Sequence, residues 1–398
     1  MLEPTPFRTE QLRLETGERF VLTVDADGMP AWWPNLYCQI RIRERGISYS
    51  AMRAYMSAVC AFHNICAELI IDVDARIESL ELFREEEIAT LRDELREKRR
   101  NPTESVKNAH WKSRLIAVAE YIVWRCDPVI DRMVLDDKRL PEARRRLEAL
   151  PKRLVGKIVV KKNTSKEGMD EKTEQAFLDA ITPGHPTNPF NKRSQVRNQA
   201  LWRLYHAGLR RSAPLILTGG HLHLNGDDPY VFVPRSPDDP NDPRADEPRN
   251  KTLAHSVSLR PDSAAILHDY MVKDRLTYPG AKKSKYIFLS QESSEKSPKP
   301  LSIGAVVGMY ERLREKVPGI PADFAPHMVR RTNKDRMGDA AEEAGLSPST
   351  EQSVINQQSG WTPTSETSLQ YQRRRLRRKG NQLAIVMQDK ATGGRANG

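Results

Sequence analysis

The pattern of apolar and polar positions changes character along the chain. Residues 1–30 alternate weakly, which predicts a short hairpin with its turn at Asp27 and the glycine that follows. From Ser48 onward, apolar residues recur at helical spacing, and they do so again from His110 to Trp124. A polar, strongly charged helix is predicted between them, from Phe83 to Arg100. The first third of the chain therefore predicts a small helical domain.

The later part of the chain mixes helices with a few short strands. Asp170 is a plausible helix cap, and a longer helix is predicted from about Ser194, with Gly208 as its stop. Three strand-like runs follow, "HLHLN", "YVFVP" and "HSVSL", after which the chain is helical to its end. The Pro- and Asp-rich residues 234–250 predict a protruding, mobile loop. The fold class predicted is mainly α, with a small antiparallel β-sheet in the second domain.

Composition indicates two domains and a polyanionic partner. The chain has 398 residues, with 64 Lys and Arg against 53 Asp and Glu, for a net charge of +11. This excess favours nucleic acid as the partner. The four cysteines have no metal-ligand spacing, which is typical of reduced thiols in a cytosolic protein. No secretory signal and no stretch of about 18 apolar residues is found, so we expect no membrane partner and a cytoplasmic, nucleoid-associated location.

Eleven basic and two acidic residues lie between Lys138 and Lys166. Such a run is typical of a solvated face or a linker, and in a basic two-domain protein it could also follow a phosphate backbone.

One helical start carries chemistry of its own. Pro326 suits the first position of a helix, and His327 and Arg330 then lie on one face of its first turn. Such a pair can close on an anion. Alternatively, His327 caps or packs the helix start and Arg330 is solvated.

Four separated segments together resemble the tyrosine recombinase (phage integrase) family. "HAGLRRSAPLIL" resembles its first arginine box, and "NKTLAHSVSL" resembles the strand turn that holds its lysine. "HMVRRTN" resembles the His-x-x-Arg box, and "SGWTPTSETSLQYQRR" the last box with the nucleophilic tyrosine. The lysine turn and the tryptophan are similar to those of the Cre recombinase. The resemblance covers roughly residues 168–380.

The resemblance implies a metal-free cleavage of DNA that uses six residues and no cofactor. Arg210 and Arg330 would neutralise the phosphoryl oxygens, because guanidinium groups stay protonated and donate in fixed pairs. Tyr371 would attack the phosphate to leave a 3′-phosphotyrosine. Tyr371 is the only tyrosine after Tyr310, so no other phenol competes for this role on that side.

Three further residues complete the implied site. Lys251 would protonate the leaving 5′ oxygen, and His327 would assist by hydrogen bonding or proton transfer. Trp361 stands where most members have a second histidine, and its indole can donate to a phosphate oxygen or pack the pocket. Taken singly, each residue also has an ordinary structural interpretation, such as Arg210 complementing a helix dipole.

The sequence departs from the family pattern in several places. Ala213 stands where an acidic residue usually supports the first arginine, and Arg211 is a neighbouring candidate for that arginine's role. The spacing from Trp361 to Tyr371 is one residue longer than is usual. Arg331 follows the His-x-x-Arg box and is either a phosphate contact or a surface residue.

The resemblance implies a two-domain DNA clamp with five segments. These are an N-terminal extension (1–30), a helical, SAM-like core-binding domain (31–135), a basic linker (136–167), the recombinase catalytic domain (168–380) and a C-terminal tail (381–398). The partners implied are double-stranded DNA, further copies of the chain in a synaptic tetramer, and accessory proteins. Two alternatives remain: a catalytically silent DNA-binding paralogue, supported by Ala213, and an enzyme like a type IB topoisomerase.

Overall fold

The chain folds into two compact units, Met1–Lys162 and Asn163–Gly398. The computed structural model describes residues 7–98, 101–134, 136–160, 167–236, 239–292 and 294–391. Within these residues the protein is mainly helical with small antiparallel sheets, which confirms the predicted fold class. None of the helices in the described ranges combines the length and hydropathy that a membrane crossing requires.

The first unit consists of helices and two antiparallel hairpins. Its strands are β1 (Arg8–Arg13), β2 (Arg19–Val24), β3 (Glu97–Lys98) and β4 (Asn101–Ser105). Its helices are α1 (Trp32–Tyr37), α2 (Tyr49–Glu68), α3 (Val73–Glu78), α4 (Glu85–Glu94), α5 (Asn108–Asp131) and α6 (Leu140–Val155).

Helices α2, α5 and α6 form the centre of this unit. The Ser48 hydroxyl caps α2 by accepting from the Ala51 N–H at 3.4 Å. Apolar residues at helical spacing then face inward, and the rings of Phe62 and Tyr121 are fully buried. Helix α6 buries a leucine stripe against the same core, which is the amphipathic pattern expected of a helix that packs on one face.

Three expectations for the first unit differ from the structure. The hairpin turns at residues 14–18, and Asp27 belongs to a second turn after β2. The charged helix ends at Glu94 instead of Arg100, because the chain turns there into the short hairpin of β3 and β4. Most of the linker predicted over 136–167 is helix α6, whose basic residues lie opposite its buried leucines; residues 161–166 lie outside the described ranges.

The second unit places helices around one small sheet. Strands β5 (Leu222–His223), β6 (Tyr230–Val233) and β7 (His255–Ser258) form it in the order β5-β6-β7, as the three strand-like runs predict. The helices are α7 (Glu171–Ile181), α8 (Lys192–His206), α9 (Ala213–Ile216), α10 (Pro261–Asp269), α11 (Ile303–Lys316), α12 (Pro326–Glu343), α13 (Pro348–Gln357), α14 (Thr367–Tyr371) and α15 (Arg373–Ala391).

An aromatic cluster on α7, α8 and α11 anchors this second core. Trp202 contacts Tyr310 edge-on with ring centroids 4.5 Å apart, and Phe177 and Phe324 pack beside them. This packing fixes α8 and the segment that leads into α12, two of the elements that position the site described below.

The loop over 234–250 is not the protruding segment that its composition predicts. Asp242 and Arg244 are buried and form an ion pair with a shortest distance of 2.5 Å. Arg244 Nη1 also donates to the carbonyls of Leu215 and Leu301, at 3.0 and 2.8 Å. The loop's charges therefore pair with each other and with backbone groups, which holds its described residues, 234–236 and 239–250, against the second core.

Candidate active site

The end of helix α8 is pinned against α12. The Asn333 side-chain amide donates to the His206 carbonyl at 3.0 Å, and the Arg330 guanidinium donates to the Gly208 carbonyl. Gly208 has a φ of +100°, and a Cβ there would collide with the Asn333 side chain, so both conformation and space require glycine. Arg210 follows two residues later and is thereby placed beside Arg330.

Arg330 lies at the centre of the site. It is only 2% exposed, and its Nη2 lies 3.3 Å from the carbonyl oxygen of Ser359. Its Nε is buried without a hydrogen-bond partner. A buried guanidinium ordinarily satisfies its donors, so a free Nε at this position is the feature expected of a group that receives a ligand.

Trp361 lies between the two arginines and the tyrosine. Its backbone N–H donates to the Asn356 carbonyl at 2.9 Å, which fixes it just after α13. Its ring centroid is 5.0 Å from Arg330 Cζ and 5.8 Å from Arg210 Cζ, and 5.2 Å from the Tyr371 ring centroid. The indole Nε1 is buried and has no hydrogen-bond partner. An indole can only donate, so this nitrogen is free for an acceptor.

Tyr371 is the last residue of α14, and its phenol meets the first turn of α12. The Tyr371 hydroxyl lies 3.3 Å from His327 Nδ1. The Cζ atoms of Arg330 and Arg331 each lie 5.6 Å from the Tyr371 ring centroid. Five of the six predicted site residues therefore form one cluster, although Arg210 and Tyr371 stand 161 positions apart in the sequence.

Burial and nearby positive charge lower the pKa values of the cluster's bases. The pKa of His327 falls to about 4, first because of burial and then because of the surrounding arginines, so the imidazole is neutral at pH 7. Burial, followed by the neighbouring Arg210, lowers the pKa of Arg330 to about 9. A neutral imidazole can accept a proton at Nδ1, the nitrogen that faces the Tyr371 hydroxyl.

The cluster contains positive charge without matching carboxylates. Within the described ranges, burial is the largest cause of the lowered pKa values of Arg210, Arg330 and Lys334, and neighbouring cations add to it for Arg330 and Lys334. The Tyr371 phenol opposes the shift at both arginines, and no carboxylate is among the causes within those ranges. Ala213, which stands where the family has an acid, is buried and supplies no charge. Buried cations without counter-ions are expected at a site that binds an anion.

The sixth residue, Lys251, is exposed. Its turn nevertheless passes beside the cluster, because the Leu253 N–H donates to the Gly360 carbonyl at 2.9 Å, next to Trp361. No described contact joins the Lys251 side chain to the other five residues, although its backbone lies two residues from this junction.

Sequence reasoning missed Lys334. It is 1% exposed, its pKa lies well below its usual value because of burial, and the charges of Arg330 and Arg210 lower it further. Its only described bond runs to the Met337 sulfur, at 3.2 Å. Lys334 follows Arg330 by four residues, so helical spacing alone could have placed it on the same face.

The two arginines whose roles the sequence leaves undecided, Arg331 and Arg211, lie beside this cluster. Arg331 is half-buried and lies over the Tyr371 ring, and Arg211 contributes to the positive charge around His327. His255, which the sequence did not single out, packs against Gly360, and burial lowers its pKa.

Comparison with known proteins gives structural likeness only. No protein-family model matches the sequence, and no curated protein matches it. Among solved structures, the chain is similar to the integrase of the transposon Tn1549 in complex with transposon right-end DNA: the TM-score is 0.48 and the identity 16%, over 88% of this chain and 99% of that one. A second structure of that integrase, with circular intermediate DNA, gives a TM-score of 0.45, 16% identity, and 86% and 99% coverage. The functional argument is therefore based on the geometry of the cluster.

Proposed function

We propose that this protein is a site-specific DNA recombinase of the tyrosine type. The observation that carries the proposal is the convergence of Arg210, Arg330, His327, Trp361 and Tyr371 in one cluster of positive charge. Their distances support a phosphodiester as the ligand, since guanidinium forks and a free indole N–H match phosphoryl oxygens.

In the proposed reaction, the Tyr371 oxygen attacks the scissile phosphorus and its proton passes to His327 Nδ1. The bond from phosphorus to the 5′ oxygen breaks, and that oxygen takes a proton from Lys251. The product is a 3′-phosphotyrosine and a free 5′-hydroxyl, so the bond energy is kept for rejoining without ATP. Arg210, Arg330 and Trp361 donate to the phosphoryl oxygens as charge develops on them.

The exposed position of Lys251 suits this role if its turn closes on bound DNA. The turn and the tryptophan at position 361 are the two features in which the chain is most similar to Cre-type members. The junction between Leu253 and Gly360 supports the assignment, because it ties the lysine's turn to the segment that carries Trp361.

The rest of the molecule is assigned by the same proposal. The helical part over 31–135 would grip one side of the duplex and the part over 168–380 the other, as a clamp. Further copies of the chain would join it in a synaptic tetramer on DNA, in the nucleoid. Accessory proteins would take part where the mobile DNA element requires them. The charge of +11 favours affinity that falls steeply with salt.

The test is covalent attachment of DNA in cells. Wild type and Tyr371→Phe are expressed, lysed under denaturing conditions, and the DNA bound to the protein is quantified and sequenced. We expect adduct with wild type and a background level with Tyr371→Phe. If neither gives adduct while salt-sensitive DNA binding persists, the protein is a silent DNA-binding paralogue; adduct with relaxation but without exchange between duplexes would indicate a type IB topoisomerase-like enzyme.

A further inference from the structure

Several residues of the basic run that follows Tyr371 form ion pairs and hydrogen bonds within their own chain. Six of the seven residues from 373 to 379 are Arg or Lys. Arg377 pairs with Glu167 at 2.7 Å, and Arg378 with Asp339 at 2.5 Å. Arg374 donates to the Met169 carbonyl. These contacts hold the first two turns of α15 against the rest of the second unit. Much of the basic run therefore binds groups of its own chain.

Arg375 is the centre of these contacts. Its side chain is 7% exposed and contacts three carboxylates from two helices. The distances are 2.5 Å to Glu351 on α13, and 3.2 Å to both Asp339 and Glu342 on α12. Buried, forked pairing with several acids is far more directional than an exposed pair between a single Arg and a single acid.

The backbone of this turn is docked as well. The Arg375 N–H, one of the free donors at the start of α15, donates to the Asp335 carboxylate at 3.1 Å. Gln372 is 2% exposed, and its side-chain oxygen accepts from Arg375 Nη1 at 2.8 Å. At Gly338 on α12, a Cβ would collide with the side chains of both Gln372 and Arg375. The surfaces of α12 and α13 are therefore shaped to receive this one turn.

Only Gln372 separates α14, which ends at Tyr371, from α15. We propose that Arg375 is a positioning residue, which holds the Tyr371 phenol in the cation cluster of its own chain before DNA binds. The inference rests on the proposed function for the role of Tyr371 as nucleophile. The docking itself is a property of the free protein and can be tested without DNA.

The first experiment measures hydrogen exchange of residues 366–376 in the free protein. Arg375→Ala is expected to speed exchange there at least tenfold, since the turn loses its anchor. Arg377→Ala is the matched control: it removes an exposed ion pair from the same helix, and less than a twofold change is expected. Unchanged exchange in Arg375→Ala would overturn the proposal. If that variant does not fold, Glu351→Gln, which removes the negative charge at the shortest contact, replaces it, and faster exchange over the same residues is expected.

The second experiment separates positioning from general stability. With target DNA in hand, Arg375→Ala is expected to slow single-turnover formation of the covalent adduct 10- to 100-fold while the Kd for DNA changes less than twofold. Arg375→Lys keeps the charge and should recover part of the rate. An equal loss of affinity and rate, following the loss of thermal stability, would assign Arg375 a purely structural role.

The third experiment tests whether Tyr371 acts in the cation cluster of its own chain or in that of another copy. Tyr371→Phe and Arg330→Ala chains, carrying tags of different size, are co-expressed; Arg210→Ala is a second inactive partner. If each tyrosine serves its own cluster, the mixture should give below about 5% of the wild-type adduct. Adduct on the Arg330→Ala chain would overturn the proposal. If wild type itself forms no adduct, the proposed function fails, and the exchange experiment still decides whether Arg375 holds the Tyr371 segment.

Discussion

The Tyr371 hydroxyl faces an imidazole that is already neutral at pH 7, and this pairing depends on burial among like charges. Isolated histidines titrate near neutral pH, but burial, and after it the charges of the surrounding arginines, lowers the pKa of His327 to about 4. His327 can therefore accept the phenol's proton without first losing one.

Replacing Trp361 tests its free indole nitrogen. Trp361→Phe keeps an aromatic ring and removes the donor, so the rate of adduct formation is expected to fall about 10- to 100-fold, or roughly 1.4 to 2.8 kcal/mol. Single-turnover cleavage measures it. Trp202→Phe is the matched control, because Trp202 also has a buried, unpartnered Nε1 but lies in the aromatic core. We expect Trp202→Phe to lower the melting temperature and leave the rate unchanged; a similar rate loss in both would contradict the donor role.

The burial of Lys334 should lower the free energy of unfolding by an amount that depends on pH. Its pKa in the folded chain lies well below the value of an exposed lysine, so folding must release a proton at any pH between the two. The unfolded chain binds more protons in that window, and stability therefore rises with pH. Lys334→Met removes this cost, and its stability advantage over wild type should grow by up to about 1.4 kcal/mol for each pH unit below 10.

Urea denaturation of Lys334→Met and wild type at pH 7 and pH 9.5 measures this difference. Lys172→Met, at an exposed position on α7, is the control and should show no such dependence. An advantage for Lys334→Met that stays constant between the two pH values would show that the fold does not lower the pKa of Lys334.

Among the elements, the loop over 234–250 shows how composition and contacts diverge. Proline and aspartate exclude it from the sheet, and that part of the expectation is correct, since β6 ends at Val233 and β7 begins at His255. Composition alone could not show that Asp242 would meet Arg244 in a buried pair. The contacts to Leu215 and Leu301 involve backbone carbonyls, which no sequence pattern identifies.

Removing that pair should release the loop. Arg244→Ala leaves the Asp242 carboxylate buried without its main partner, and we expect a loss of about 3 to 5 kcal/mol in the free energy of unfolding. Limited proteolysis should then cut between residues 239 and 250 at protease concentrations that leave wild type intact. Arg235→Ala, on the exposed side of the loop, should change stability by less than about 0.5 kcal/mol. Equal resistance of both variants would argue against a docked loop.

For the whole molecule, the tail combines a docked start with an apolar end. The anchoring contacts of α15 lie at its first two turns, whereas Leu383, Ile385 and Met387 are 65%, 58% and 69% exposed. Exposed apolar residues grouped on one helix are typical of a surface that another chain covers. The proposed partner is a second copy of this protein on DNA.

Deleting residues 381–398 should abolish synaptic assembly and leave the affinity of the monomer for DNA within about twofold. Sedimentation of protein–DNA mixtures measures both. The full-length double variant Leu383→Glu, Met387→Glu provides the control, because it keeps the chain length and removes only the apolar contact. Unchanged recombination by the truncated protein would refute the assignment.

The sequence by itself predicted most of the elements and the residues that would carry the proposed chemistry. The period of apolar positions identified most helices and the three strands of the small sheet. The four motifs gave the six candidate residues Arg210, Lys251, His327, Arg330, Trp361 and Tyr371. Both signals are local, because helical spacing and a short motif each depend on residues within a few positions of one another. The end of α4 and the hairpin turn were misplaced for the same reason: local charge and turn propensity were outweighed by packing.

Tertiary structure alone decided the environments of those residues. The neutral state of His327, the burial of Lys334 and the lowered pKa of Arg210 arise from segments that are far apart in the chain. Desolvation and charge–charge energies depend on distances through space, and a sequence pattern contains no such distances. The pairing of the basic run after Tyr371 is the same kind of fact: its composition was evident from the sequence, but only the fold brings Asp339, Glu342 and Glu351 to Arg375.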